Sequence, residues 1–524
     1  MLQLFEEGFD VLSQNRTIIL SVATFFFLLL GTKLEKKLSL SLFFFATLLL
    51  RLAYLQDIYL PPYFDSVEHF RIIKEIVEGW RDSAFWDSLP SIVPIYYHLG
   101  YHLLVSLLTL ILGADIPNIM LVFGQVVLAF IPIPVFLLLW QRTKKIPPAL
   151  FAALLAGFGW YMPAFAVNWG KYPALLGILF FEILLLHLQQ KKKKNAFTKA
   201  LLTLGIFTTA IIHTRVLILI LIAYASWVFA KRLRNFPSHN QKSILRILLF
   251  SIFIYAFLSH QDPLLKLTLE PYLTKTSLFI LVLSPFALKK YRRETYFSLF
   301  FILFLLVTLF IPTGGILPQF PNQTLLDRPF VEMTLFFPLA LLSGFGLAGL
   351  QQALQDKPRT PPRLRRKLRV AVDIISLIII SYFGFYTFKS YDFYPSDCCD
   401  FVGYDDTLAF DWINKNLPPD AQIIIAGNPL NVIPNTTSSD LVASDAGIWI
   451  TPLTGKEKVM LSYRLDFSSP EIHEQLCIKE IDYIYLGNTN QSFNHSKLDE
   501  KPEWYKKTLV LPSASIYQLI TCSY

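Results

Sequence analysis

The stretch LPPYFDSVEHF, residues 60 to 70, brings two carboxylates and an imidazole close together in a chain that is otherwise poor in charge. Asp65, Glu68 and His69 stand at i, i+3 and i+4, a spacing that puts all three on one face of a helix. Side chains so arranged can take a proton from an attacking hydroxyl, or hold a divalent cation such as Mg or Mn that neutralises a phosphate leaving group. His98 and His102, also i and i+4, would add nitrogen ligands beside Asp65, although histidines in an aromatic stretch serve equally well as polar anchors. Lys171 in VNWGKYP (167 to 173) and Arg215 in HTR (213 to 215) are cations in apolar surroundings. A phosphate or pyrophosphate is a natural partner for each, and snorkelling to headgroups is the alternative. Trp169, Tyr172, His213, and Asp327 and Arg328 of LLDRPF (325 to 330) stand beside them as candidate substrate contacts.

The elements that must position these residues are membrane helices. Of 524 residues, 54% are hydrophobic and 16% charged, and the mean hydropathy is +0.47. Apolar runs approaching the ~20 residues needed to cross a bilayer predict about twelve spans, near 17–32, 38–56, 118–140, 148–166, 173–189, 198–213, 215–231, 243–260, 276–289, 295–312, 331–350 and 370–390. The net charge of +9 does not point to nucleic acid, because more than half of the 47 Lys and Arg fall in alternate short loops: KLEKK, QRTKK, KKKK with Lys199, KRLR with Lys242, KKYRR and KPRTPPRLRRKLR. Such loops are expected on the cytoplasmic side. Every candidate residue above then falls on the opposite, outer side, and ionisable groups gathered at one set of helix ends suggest a functional site. The run 96 to 113 breaks the alternation if it spans, so it is read as a re-entrant or interfacial helix. The acidic start LFEEGFD lacks the marks of a cleaved signal peptide, and the first span is expected to be retained.

From about residue 391 the composition turns polar. YDDTLAFDWINKNLPPD and EIHEQLCIKE predict helices, and AQIIIAG, IDYIYLG and SIYQLITC predict strands, so residues 391–524 are expected to form a small α/β domain outside the membrane. All four cysteines lie there. Disulfides suit that location, and four reduced buried thiols are the alternative, since adjacent Cys398 and Cys399 are awkward partners. In SDAGIWITPLTGK, Asp445 and Trp449 suit a sugar-facing loop; a turn with Trp449 buried in a core is the other reading. GFGLAG (344 to 349) has a dinucleotide-binding spelling but sits inside an apolar span, where close helix packing is the natural role.

PPYFDSVEHFRIIKEI, NWGKYP, HTRVLIL and SDAGIWITPLTGK, taken in order, resemble a bacterial branch of the GT-C superfamily of integral-membrane glycosyltransferases, of the protein mannosyltransferase and aminoarabinose transferase type. The resemblance implies a polytopic helical membrane domain over residues 1–390 with its first outer catalytic loop at 57–117. It also implies a cell (inner or plasma) membrane location and an extracytoplasmic C-terminal domain. The implied donor is a polyprenyl-phosphate or polyprenyl-pyrophosphate sugar, and the acceptor is a saccharide, lipid or protein. Transfer would proceed by inverting displacement, with Asp65 carried over as the catalytic acidic residue. Glu68 departs from the adjacent acidic pair of protein mannosyltransferases, which leaves its role open. A lipid transporter or flippase is the alternative; it would place ionisable residues near the bilayer midplane, with Glu182 as its best candidate.

Overall fold

A computed structural model describes residues 36–55, 58–82, 98–189, 196–234, 262–313, 324–355, 362–390, 398–429 and 441–522. The expected spans at 17–32 and 243–260 lie outside the described residues. The helices in order are α1 (Lys36–Leu52), α2 (Phe64–Arg81), α3 (Gly100–Leu112), α4 (Ile116–Phe130), α5 (Pro132–Thr143), α6 (Ile146–Phe158), α7 (Tyr172–Leu188), α8 (Ala196–Ile212), α9 (Arg215–Arg234), α10 (Pro263–Leu269), α11 (Lys275–Lys290), α12 (Arg292–Val307), α13 (Arg328–Gln355) and α14 (Pro362–Ser390). Proline opens α4, α5, α6, α7 and α10, where its missing N–H would have no intrahelical partner in any case.

Among the described residues, five segments are long and apolar enough to cross a membrane: Ile116–Thr143, Arg215–Leu233, Arg292–Phe310, Arg328–Gln355 and Val370–Thr387. A sixth results if Pro263–Tyr272 and Lys275–Lys290, bent by 82° at their junction, count as one. About twelve crossings is more than these residues establish. Several predicted spans are apolar helices of 17 residues or fewer, α6, α7 and α8 among them. Large apolar side chains stand exposed on α9 (Leu221, Tyr224, Phe229) and α14 (Ile374, Ile378, Tyr382), as expected of faces turned to lipid.

The 28-residue α13 is the opposite case, apolar all round and buried on nearly every face. It packs on α5, α6, α11, α12 and α14. The GFGLAG segment makes that approach possible. A Cβ on Gly344 would stand 2.1 Å from Leu139 Cδ2, and one on Gly349 2.3 Å from the Phe286 carbonyl oxygen. The glycines serve helix packing.

The C-terminal domain contains helices α15 (Tyr404–Asn416), α16 (Ile450–Thr454), α17 (Pro470–Ile478) and α18 (His495–Asp499). Its six strands are β1 (Gln422–Pro429), β2 (Leu441–Ala443), β3 (Glu457–Ser462), β4 (Tyr483–Leu486), β5 (Tyr505–Val510) and β6 (Ser515–Leu519), in one mixed sheet ordered β2-β1-β4-β6-β5 with β3 also paired to β1. Strand β1 runs parallel to β3 and β4, and its residues 423 to 426 are wholly buried. Cys477 bonds to Cys522, and the adjacent Cys398 and Cys399 bond to each other, the pairing the sequence makes look awkward.

This domain is seated on α2. The Tyr63 N–H donates to the Cys399 carbonyl at 2.9 Å, the Phe70 and Trp449 rings meet edge to face at 5.4 Å, and Lys74 donates to the Pro452 carbonyl at 3.0 Å. These contacts fall at three places along the helix that carries Asp65.

Candidate active site

Asp65 lies in the first turn of α2, whose N-cap, Tyr63, holds a left-handed φ of 69° and makes no side-chain cap. Asp65, Glu68 and His69 share one face, as their spacing predicts, and that face lines a cavity of about 580 Å³. Lys171, His98, His213, Arg215 and Asp327 line it too. Sequence positions as far apart as 65 and 327 thus open onto one space.

The way the chain turns explains this convergence. Lys171 is the N-cap of α7, Arg215 is the first residue of α9, and Asp327 precedes α13, where its Oδ1 accepts from the Phe330 N–H at 3.1 Å. With α2, four helices of 17 residues or more point their N-terminal, positive dipole ends at the cavity. Such an arrangement favours negative charge.

That charge is met internally. The Lys171 ammonium donates to Asp65 Oδ2, and Arg215 Nη1 donates to Asp327 Oδ2. Glu68 turns toward Arg71, receiving bonds of 2.7 and 3.2 Å from the guanidinium, which also reaches Glu75. The close seating of α2 on the VNWGKYP turn depends on Gly170. Its φ is +63°, and a Cβ there would stand 2.6 Å from Ser66 Oγ and 2.8 Å from Ser66 N.

The histidines make different pairs from those their spacing suggests. His98 and His102 do not act together: His98 packs on His213 with ring centroids 4.5 Å apart, while His102 Nε2 lies 3.0 Å from His69 Nδ1. The His69 ring also bonds to the Gly170 backbone. It therefore ties α2 to α3 and to the turn that bears Lys171. Burial pushes His69 down to about 3, helped by the charge of Lys171, and His98 down to about 4, helped by Arg215. Both rings are therefore neutral near neutral pH. Asp65, His98 and His102 do not converge as a metal donor set. Among the described residues, the one group of three that does is His473, Cys477 and Cys522, and its two cysteines are joined in a disulfide.

The remaining predicted contacts divide. Arg328 stacks over Trp169 at 5.8 Å and reaches Glu332 at 3.5 Å, beside the cavity and not in its lining. Tyr172 is fully buried behind the wall, stacked on Tyr101. Asp445 and Trp449 require correction. Both are buried, Asp445 accepting from the Gly447 N–H and Ser492 Oγ and Trp449 packing on Phe70, so neither faces the cavity. The sequence reading missed Gly170, Thr313 and Thr324. Only Gly170 left a signal, as a lone glycine between Trp169 and Lys171.

A family of unknown function, DUF6541, matches residues 39–264. No curated protein matches the chain by sequence. Among solved structures, the arabinofuranosyltransferase AftD from Mycobacteria superposes with a TM-score of 0.53 at 11% identity, over 94% of this chain and 40% of that one. A structure of a mutant of the same enzyme gives 0.48 at 12% identity, over 94% of this chain and 42% of that one. The chain therefore spans well under half the length of the enzyme it resembles, and what it shares with that enzyme is a fold.

Proposed function

We propose that the chain is a membrane glycosyltransferase of the GT-C type, moving a sugar from a polyprenyl-phosphate or polyprenyl-pyrophosphate carrier to an acceptor at the outer face of the cell membrane. The observation that carries this reading is the convergence of four helix N-termini, two cations and Asp65 on one cavity, in a fold like that of an arabinofuranosyltransferase. A site that favours anions and also holds a carboxylate suits a reaction in which a phosphate departs while a hydroxyl loses its proton.

In the reaction, an acceptor hydroxyl oxygen attacks the anomeric carbon as the bond from that carbon to the carrier phosphate breaks. Asp65 takes the hydroxyl proton. The electron pair of the broken bond leaves on the phosphate oxygen, and Lys171, Arg215 and the helix ends balance the charge. His69 and His98, neutral, orient and do not carry charge. No step of this scheme is assigned to a metal ion.

A second reading, a lipid transporter, draws on Glu182. It is wholly buried in α7, and neither carboxylate oxygen has a hydrogen-bond partner among the described residues. Purified protein in detergent separates the two, since vectorial transport is impossible there. Sugar transfer from prenyl-phosphate donors, lost in Asp65→Asn, supports the transferase; no transfer from any such donor removes it.

A further inference from the structure

The cavity has two cationic side chains among its described lining residues, Lys171 and Arg215, and both are held by carboxylates of the same cavity. A phosphate ester entering it meets neutralised cations and the negative charge of Asp65 and Asp327 at close range. The four side chains are each about a quarter to a third exposed, so water weakens that repulsion without removing it. Entry therefore requires an exchange of partners.

The two pairs are not equally able to exchange. Asp327 is anchored twice, by Arg215 and by the Phe330 N–H at the start of α13. Arg215 presents a planar fork with several donors, which can hold a carboxylate and a phosphate together. Lys171 is a single charge on a flexible stem, placed at the N-terminus of α7, where the helix dipole disfavours a cation and makes an anionic partner necessary. Asp65 sits in the first turn of α2, where the dipole stabilises a carboxylate even without its lysine. Lys171 can therefore leave Asp65 at little cost, provided another anion receives it.

We propose that the Lys171–Asp65 pair is a lock opened by the donor: the carrier phosphate takes the ammonium, and the carboxylate so released becomes the base. This deepens the transferase reading and rests on it. The lock keeps Asp65 masked until a phosphate is seated.

Zero-length carbodiimide coupling of full-length protein in detergent tests this without turnover. The reagent activates Asp65, the Lys171 amine displaces it to form an amide, and the carboxyl oxygen leaves on the urea. Peptide mass spectrometry is expected to find the Lys171–Asp65 cross-link in the free protein. Saturating farnesyl phosphate should suppress it by about tenfold, while Asp65 becomes open to amidation by added glycine ethyl ester. Inorganic phosphate should do the same at higher concentration. Phosphatidylglycerol micelles acting as well as farnesyl phosphate would assign the exchange to any phosphoester headgroup and overturn the role of the carrier. Lys171→Gln should abolish the cross-link and weaken farnesyl phosphate binding about tenfold or more, whereas Asp327→Asn should leave the exchange intact. Absence of the cross-link in the free protein, no binding of farnesyl phosphate, or an unchanged cross-link with farnesyl phosphate bound each overturns the lock. Exchange without sugar transfer would overturn the transferase and keep the lock; transfer with an unchanged cross-link would do the reverse.

Discussion

At the scale of single residues, the proposed transfer rests on Asp65. Asp65→Asn keeps shape and removes the basic oxygen, so donor binding should survive while the transfer rate falls by the roughly 10²- to 10⁴-fold typical of a general base. Glu68→Gln should cost much less, because its carboxylate is spent on Arg71. Comparable losses from both, together with a fall in activity on chelation that Mg or Mn restores, would bring back a shared metal ion as the explanation. The histidines give a contrasting expectation. Burial keeps His69 near 3 and His98 near 4, so the pH profile of transfer between 5 and 8 should contain no limb that disappears in His69→Gln. A limb near 6.5 removed by that substitution would mean the imidazole carries a proton in turnover.

At the scale of elements, the site depends on how α2 is seated. Gly170→Ala must hold a left-handed backbone with a side chain, costing about 1–2 kcal/mol, and must also push Ser66 aside. A lower unfolding temperature with a disproportionate fall in rate is expected, since the displaced atoms adjoin Asp65. Trp449→Ala should cost about 3–5 kcal/mol as a buried aromatic deletion and raise hydrogen exchange in α2, because Trp449 backs Phe70. A separate pH effect belongs to the C-terminal domain, where burial lifts Asp445 to about 7 and Asp406 to about 6. The folded chain keeps protons that an unfolded chain, titrating near ~4, releases. The stability these groups lend is therefore full below about pH 4 and lost as pH rises through 6 to 7. Melting of the whole protein in detergent should follow that window, and Asp445→Asn should flatten part of it.

The two readings of Trp449 show what the sequence can carry. An aromatic residue beside Asp445 and Gly447 suits a saccharide loop and a core turn equally, and only the docking of the domain on α2 decides between them. The face formed by Asp65, Glu68 and His69 was legible because helical spacing is local. The Lys171–Asp65 and Arg215–Asp327 pairs were legible only as separate charges at helix ends, since their partners lie more than 100 residues away. The histidine pairing was misjudged for a related reason. His98 precedes α3 instead of lying within it, so the i, i+4 rule did not apply. In the C-terminal domain, helices α15 and α17 and strands β1, β4 and β6 were evident from capping residues and apolar runs. The short β2 and the half-exposed β3 have no comparable pattern.

At the scale of the whole molecule, the structure sharpens the test of orientation. The C-terminal domain touches α2 through Tyr63, Phe70 and Lys74, so it must share a side with the mouth near Asp65. The KKKK loop leads into α8, whose other end delivers His213 to the cavity. If α8 crosses the membrane, that loop lies on the opposite side, where the excess of positive charge predicts the cytoplasm. The four native cysteines are paired in disulfides and do not react with maleimide, so single cysteines can be added without removing them. In intact cells, Asn490→Cys, on an exposed turn of the C-terminal domain, should label with an impermeant maleimide, and Lys199→Cys should label only after the membrane is opened. Labelling of both from outside would mean that α8 does not cross. Labelling of Lys199→Cys alone would invert the protein, turn the cavity toward the cytoplasm, and rule out transfer at the outer face.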